Sequence, residues 1–454
     1  MEITRKSDVR RLLVISYHFP PDGAIGGQRW AGLSKYLAHL GWEVHVVTAA
    51  KPDGTAPIPG VHRHYCPRRR TLNDVYKTAA TRIRKRTKAA GAATLGIQPR
   101  RHSLSPINAL RRIVGTSMYL PDEGRGWVAV AAMTARALLR QFQFNVLITS
   151  GPPHSAHFAG VFAGLGTDVQ HWIEMRDPWS LTHDFSGQED WLIRAERSML
   201  RKFEQIMFPR ASRVVVNTPQ FATSLRATEP ALEVEYLPNG VDLENTPPRD
   251  DRAIDRGSIA YVGTLYARRN LSSVCSAIAR LLREQPDAAG TIRLDVAGPM
   301  DPKHRRKFEE DIAAAGLSSV INVHGKIPRA EALELLRRSH LALVLAQDQP
   351  MQVPAKLYES VGLGVPTLVI AEDSSASACE ARRIGAMTLD GSDVDGLTSL
   401  FGDLLAGRIP TSISAKTPIS YAHLAQRWDL LLRKACGLPG TVQSLPTAPL
   451  QHQA

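Results

Sequence analysis

Twice along this chain, short apolar runs that read as strands alternate with helical stretches, and this alternation constrains the fold more than any other feature. RLLVIS (11–16) reads as a buried strand. A loop rich in proline and glycine follows at 18–28. RWAGLSKYLAHLGW then has helical apolar spacing and stops near Gly41, and EVHVVTA (43–49) reads as the next strand. Further strands are expected at 144–150, 169–175 and 213–217, with a charged helix at 189–207. The polar segment 235–256, with adjacent prolines, reads as a linker. The pattern then restarts. Strands are expected at 258–264, 292–298, 321–325, 341–346 and 366–371, and helices at 271–285, 330–339 and 356–364. Alternation of this kind implies parallel sheets covered by helices on both faces. The expected fold class is therefore α/β, with two Rossmann-like doubly wound domains facing across a cleft. Ligands of such sheets bind beyond the carboxyl ends of the strands.

Length permits this, because 454 residues make two domains of about 200 residues each large enough to bury a core. The expected division is 1–245, 246–418, a last helix at 419–437 and a disordered tail at 438–454. The four cysteines, Cys66, Cys275, Cys379 and Cys436, form no C-x-x-C pair, so neither a zinc site nor a disulfide framework is read from them. The charged start and the short apolar run after it do not read as a signal peptide, and no apolar stretch is long enough for a membrane span. A cytoplasmic location is expected.

Charge is uneven. Between 61 and 115 there are 14 Lys/Arg and one acid, Asp74, so this stretch carries a surplus equal to the whole net charge of +13. A local basic block of this kind fits a polyanionic surface, either acidic lipid headgroups or nucleic acid.

The residues that could do chemistry stand at strand ends. The loop Gly23–Arg29, with Gly26, Gly27 and Arg29, follows the first strand, where glycines let a backbone approach an anion at a helix start. It lacks G-x-G-x-x-G, and no acid ends the second strand, which argues against a nicotinamide dehydrogenase. His154, in SGPPHSAH, and Arg176-Asp177, in EMRDPW, follow consecutive strands and should line one site. In the second half, Arg268, Arg269 and Lys326 follow strands and could neutralise a leaving phosphate. The strongest local signal is VPAKLYESVGLGVP (353–366). There a helix begins beside Lys356 and Leu357 and carries Glu359 one turn on, so the helix start and Lys356 suit phosphate while the carboxylate suits vicinal hydroxyls.

These stretches, with PDEGRGW, LPNGVD and YVGTLYARRN, resemble the family-4 glycosyltransferases of GT-B fold, most closely the bacterial branch that builds surface polysaccharides, over roughly 10–435. The resemblance implies a retaining transfer of sugar from a nucleotide-diphosphate sugar to an acceptor hydroxyl, with no cofactor and no metal, in polysaccharide or glycolipid biosynthesis. It places Gly26 and Gly27 by the donor diphosphate, with Arg29 and Arg176 among the substrate-binding residues. His154 and Asp177 are expected to face the sugar and acceptor, and Arg268 or Arg269, with Lys326 the weaker candidate and Lys356 helping, to stabilise the leaving phosphates; His154, Asp177, Arg268 and Lys326 are the expected catalytic residues. Leu357 is expected among the substrate-binding residues, and Glu359 at the ribose of the nucleotide. The nucleotide is expected on the second domain and a lipid-linked or carbohydrate acceptor on the first. The basic insert 61–115 is expected to meet an anionic membrane surface, which would make the enzyme peripheral on the inner face of the cytoplasmic membrane. The helix at 419–437 is expected to return to the first domain.

The chain departs from the family pattern at one glutamate and at the Arg-x4-Lys pairing after the first strand of the second domain, where Arg268-Arg269 are the expected replacement. The family carries two glutamates separated by seven residues, and Met351 stands where the first belongs, with Asp348 the nearest acid before it. Three competing readings are a sugar-nucleotide 2-epimerase of the same fold, a transferase that binds but does not turn over, and a non-catalytic basic protein gripping a membrane or nucleic acid. No nucleic-acid-binding motif accompanies the basic block, so nucleic acid is not expected as a partner.

Overall fold

In the computed structural model, strand β1 (Arg10–Ser16) is buried from Leu12 onward. Residues 9–54, 56–71, 74, 120–181, 191–242, 244, 249–250, 253–265 and 269–439 are described, Ile25 and Leu192 without their side chains. Chain contacts define two units, Met1–Val215 with Ala231–Glu233, and Val216–Pro230 with Val234–Ala454.

After β1 come α1 (Ile25–His39), β2 (Trp42–Thr48), β3 (Val61–Tyr65), α2 (Val128–Gln141), β4 (Val146–Gly151), α3 (Ser155–Gly164), β5 (Gln170–Met175), α4 (Trp191–Met207), β6 (Arg213–Val216), α5 (Pro219–Thr228) and β7 (Val234–Tyr236). Their seven strands form one sheet in the order β3-β2-β1-β4-β5-β6-β7. The ladders β2–β3, β1–β2, β1–β4 and β4–β5 are parallel. Strands β1 and β4 are near-continuous apolar runs because helices cover both faces. One face packs Leu13, Ile15 and Leu147 against Trp127, Ala131 and Ala159. The stretch 61–65 is edge strand β3, paired with β2, so the expected basic insert does not begin at 61. Its alternating exposure, with histidines and an arginine, hid it from a search for apolar runs.

The second series is β8 (Asp255–Val262), α6 (Ser272–Glu284), β9 (Arg293–Ala297), α7 (Pro302–Ala314), β10 (Ile321–Gly325), α8 (Arg329–Arg338), β11 (Ser339–Leu345), α9 (Ala355–Gly362), β12 (Thr367–Ile370), α10 (Ala376–Ile384), β13 (Met387–Leu389), α11 (Val394–Leu405) and α12 (Tyr421–Ala435). Its six strands run in the order β10-β9-β8-β11-β12-β13, and every ladder is parallel. Ile259, Leu294, Leu341 and Leu368 join Ile278 and Phe401 in its main core cluster. The expected linker is shorter than 235–256, because β7 reaches Tyr236 and β8 starts at Asp255. Helix α12 packs on the segment after β7: Tyr421 N donates to Val241 O, and Arg427 donates to Tyr236 O at 3.1 Å. Of the expected tail, 440–454 lies outside the described residues.

Both sheets reverse their order once, between β1 and β4 and between β8 and β11. Loops leaving the carboxyl ends of such neighbours diverge and leave a crevice at the switch point. That topology selects which of the expected site residues can act together.

Candidate functional site

In the first unit the chain after β1 enters α1 at Ile25, so Gly26, Gly27 and Arg29 lie in its first turns and not in a free loop. Close approach fills the space above both glycines, by backbone at Gly27 and by the end of a side chain at Gly26. A Cβ on Gly27 would come 2.9 Å from Phe19 N, and one on Gly26 would come 2.1 Å from a guanidinium nitrogen of Arg176. Arg29 is fully buried and does not face a ligand. Its Nε donates to Glu174 Oε1 at 2.8 Å, and Trp30 donates to the other carboxylate oxygen. Burial opposes charge on Glu174, yet Arg29 and Arg176 hold its carboxyl below the usual range. The expected substrate-binding role of Arg29 is therefore corrected: it forms the buried ion pair that ties α1 to β5.

Arg176 follows β5 and turns back to β4. It donates to Gly151 O at 3.1 Å and Pro152 O at 2.6 Å, fixing the turn that carries His154. The His154 ring is buried and stacks on Trp179, with centroids 5.0 Å apart. Its Nδ1 lies 3.4 Å from His157 Nε2, and a chain continues through Thr149 to His171 at 2.9 and 3.0 Å. Burial, helped by the Arg176 charge, pushes the His154 pKa down to about 3, so the ring is neutral at physiological pH. The start of α3 is already taken by Asp122, whose carboxylate accepts from Ser155 N at 2.7 Å, so a substrate anion does not sit there. The aspartate of PDEGRGW is thus a structural capping residue. Asp177 is half-buried beside Arg176. The structure therefore brings Gly26, Arg176 and the turn that carries His154 together at the first switch point, with Asp177 the residue after Arg176.

In the second unit, Gly298 has φ 142°, and a Cβ there would lie 1.9 Å from Gly263 O, so only glycine lets the loops after β8 and β9 touch. Arg268 lies outside the described residues. Arg269 donates to Gln349 Oε1 at 2.6 Å, and Gln347 bonds the backbone of Asn270 at 3.3 and 3.0 Å. Two glutamines thereby clamp the loop after β8 to the loop after β11, on either side of the second switch point. In that loop Asp348 is exposed with φ 56°, and its N–H donates to Glu372. Met351 gives its carbonyl to Thr218 at 2.8 Å.

Helix α9 presents Glu359 at the same place. The carboxylate is buried and held by Lys356 at 2.6 Å and Arg329 at 2.7 Å. Burial alone would raise its pKa, but the two cations lower it, so it is ionised. Two cations on one carboxylate leave one positive charge in excess. Lys326 is exposed on the loop after β10. Among the described residues it is Arg329, three positions on, that reaches Glu359. Sequence reading missed Arg329, although it opens a helix directly after Pro328 at a strand's carboxyl end. Leu357 is corrected: its side chain is wholly buried in the core, and its N–H bonds Pro354 O. Sequence reading also missed Gln347 and Gln349, since neutral amides carry no charge signal.

The glycosyl transferase 4-like domain family matches residues 26–240, and the glycosyl transferases group 1 family matches 248–408. No curated protein matches the chain in sequence. Among solved structures, the chain is similar to the sucrose-phosphate synthase of Thermosynechococcus elongatus, with TM-score 0.59 and 15% identity over 94% of this chain and 98% of that one. It is also similar to Anabaena HepE, solved with UDP and glucose, with TM-score 0.59 and 10% identity over 94% and 100%. A third is a UDP-forming α,α-trehalose-phosphate synthase from Burkholderia vietnamiensis, with TM-score 0.56 and 14% identity over 94% and 96%. The first family match takes in β2 to β7 and the second β8 to β13, and the solved structures share the two-sheet fold; the chain belongs to the GT-B glycosyltransferases of the family-4 type.

Proposed function

We propose that this glycosyltransferase moves a sugar from a nucleoside-diphosphate sugar to an acceptor hydroxyl with retention of configuration, in the assembly of a polysaccharide or glycolipid. The observation that carries this reading is Glu359, ionised and held between Lys356 and Arg329 at the second switch point. An ionised carboxylate there accepts hydrogen bonds from the two ribose hydroxyls. The surplus cation, with Arg269 across the switch point, meets the diphosphate and stabilises the charge that develops as the sugar–phosphate bond breaks. These side chains supply the counter-charge that a metal would otherwise bring.

In the first unit, His154 and Asp177 serve the sugar and acceptor. His154 is neutral, so it acts as a hydrogen-bonding group on the sugar and not as an acid. Arg176 positions it through the Gly151–Pro152 turn. With Met351 in place of a carboxylate, sugar hydroxyls are met by other groups of the 347–351 loop, of which Asp348 is the exposed acid. HepE was solved with UDP and glucose, and the Burkholderia enzyme is UDP-forming, which makes a uridine nucleotide the first donor to test. The basic stretch, with a lipid-linked acceptor, supports peripheral attachment on the inner face of the cytoplasmic membrane. No helix among the described residues is long and apolar enough to cross a membrane.

The test is a thermal-shift and hydrolysis panel of UDP, GDP, dTDP and ADP and their sugars without added metal. One nucleotide should raise the melting temperature, and its sugar should be hydrolysed slowly. Glu359→Gln should weaken that nucleotide roughly 10- to 150-fold, since hydrogen bonds to a charged group are worth about 1.5–3 kcal/mol. Unchanged affinity in the variant would remove the ribose assignment. No binding by any nucleotide would overturn the donor reading.

A further inference from the structure

A second chemical constellation lies on the edge pair β2–β3, away from either switch point. The two strands are parallel, with His45 directly opposite His62 and Val47 opposite His64. Side chains two apart in a strand share a face, so Glu43 and His45 of β2 stand with His62 and His64 of β3 on one face. The ligand atoms of Glu43, His45 and His62 all lie within 4.8 Å of one another. His45 Nε2 is 2.9 Å from Glu43 Oε1, and His62 Nε2 is 3.9 Å from the same oxygen. Two ligands at about 2.1 Å from a tetrahedral zinc ion stand roughly 3.4 Å apart. The two spacings bracket that value, so small side-chain adjustments close the site.

The surroundings are those of a built site. His45 is buried against Phe142 and Phe144, with ring centroids 5.0 and 5.1 Å away, so its orientation is fixed. Its other nitrogen, Nδ1, is 3.0 Å from His64 Nε2. A metal-binding histidine almost always donates through its second nitrogen, commonly to a carboxylate, a backbone carbonyl or water; here an imidazole takes that place. Arg11 donates to Glu43 Oε2 at 3.0 Å, which orients the carboxylate and leaves Oε1 toward the histidines. A hydrogen-bonded pair would need only Glu43 and His45. The exposed His62 adds a third ligand atom, and His64 adds the outer support.

We propose that Glu43, His45 and His62 bind a divalent transition-metal ion, zinc by the preference of an imidazole-rich set, with solvent in the fourth position and His64 supporting His45. With the metal on His45 Nε2, Nδ1–H donates to His64 Nε2. The ion would staple edge strand β3 to β2. It is separate from the sugar-transfer chemistry proposed for Glu359, and it departs from the sequence expectation of no metal.

The test uses the full chain, stripped with EDTA, dialysed and titrated with Zn2+ by calorimetry, with Co2+ absorption as a second readout of tetrahedral nitrogen and oxygen ligation. Wild type should bind one ion. His64→Ala should weaken it about 10- to 100-fold, as loss of outer support does. His62→Ala and Glu43→Gln should weaken it further and abolish the Co2+ band. Glu359→Gln should bind zinc as wild type does, which separates this site from the donor site. His62 is exposed, so its variant tests ligation without testing the core. Absence of binding in wild type, or equal binding in His62→Ala, would overturn the proposal.

Discussion

At Gly27 the space for a side chain is closed by backbone, and at Gly26 by the end of a side chain. The two alanine substitutions should therefore differ. Gly27→Ala must push the His18–Phe19 backbone, at a typical overpacking cost of about 1–3 kcal/mol, only partly offset by about 1 kcal/mol of helix propensity. Its melting temperature should fall by a few degrees. Gly26→Ala must displace the Arg176 guanidinium from the Gly151 and Pro152 carbonyls, so turnover should fall more than stability does. Kinetics beside thermal melts of both variants would check this. His154 carries a pH prediction. Its folded pKa is about 3 against an ordinary 6.5, so the unfolded chain binds this proton first. The stability it contributes is complete above about 6.5 and is lost as pH falls toward 3. Melting curves across that window should slope less steeply in His154→Gln than in wild type. Equal slopes would show that other groups govern the acid limb.

Helix α9 shows why element and site have to be read together. Its sequence offers Lys356, Leu357 and Glu359 within one turn, and sequence alone does not say which way each points. The helix buries Leu357, Tyr358 and Val361 against β11 and β12 residues such as Val344 and Val369. That burial sets its rotation, and the rotation brings Glu359, already paired with Lys356 one turn back, to Arg329. Leu357→Ala should accordingly cost about 2–5 kcal/mol of stability, as large-to-small changes in a core do. Chemical denaturation would show this loss, while nucleotide affinity at temperatures where the variant is folded should stay near wild type. A selective loss of affinity without a loss of stability would return Leu357 to the binding site.

Over the whole molecule, charge is distributed as unevenly as the alternation is regular. The part of the basic block that lies among the described residues is partly engaged in the fold: Arg63 donates to Pro20 O, and Arg68 bonds Glu123 O and pairs with Asp74. On the proposed membrane reading the remaining cations, at about 1 kcal/mol each near an anionic surface, supply the attachment. The protein should float with anionic vesicles, not with neutral ones, and come off near 1 M salt, where the Debye length is about 3 Å. Replacing the basic residues between 77 and 101 by glutamine should abolish flotation and leave hydrolysis of a soluble donor unchanged. Flotation that persists in that variant would place the membrane contact elsewhere.

The amino-acid sequence by itself determined the fold class and the number of sheets. Runs such as Leu12–Ile15 and Leu341–Leu345 are continuous because each strand is covered on both faces, a local property that pattern reading detects. It also determined which loops follow strand ends, and so the neighbourhood of His154, Asp177, Arg269 and Glu359. Edge strand β3 escaped because an exposed strand needs few apolar residues, and Arg29 was misread because a charge in a loop looks the same whether solvent or Glu174 receives it. Gln347 and Gln349 acquire roles only when strand order puts the loop after β8 beside the loop after β11, and Arg329 only when the start of α8, after β10, meets α9. The Glu43–His45–His62 cluster arises in the same way, from the pairing of β2 with β3. Tertiary structure alone decided these assignments, because sheet order and cross-strand register are set by packing between segments far apart in the chain, and no spacing along it records them.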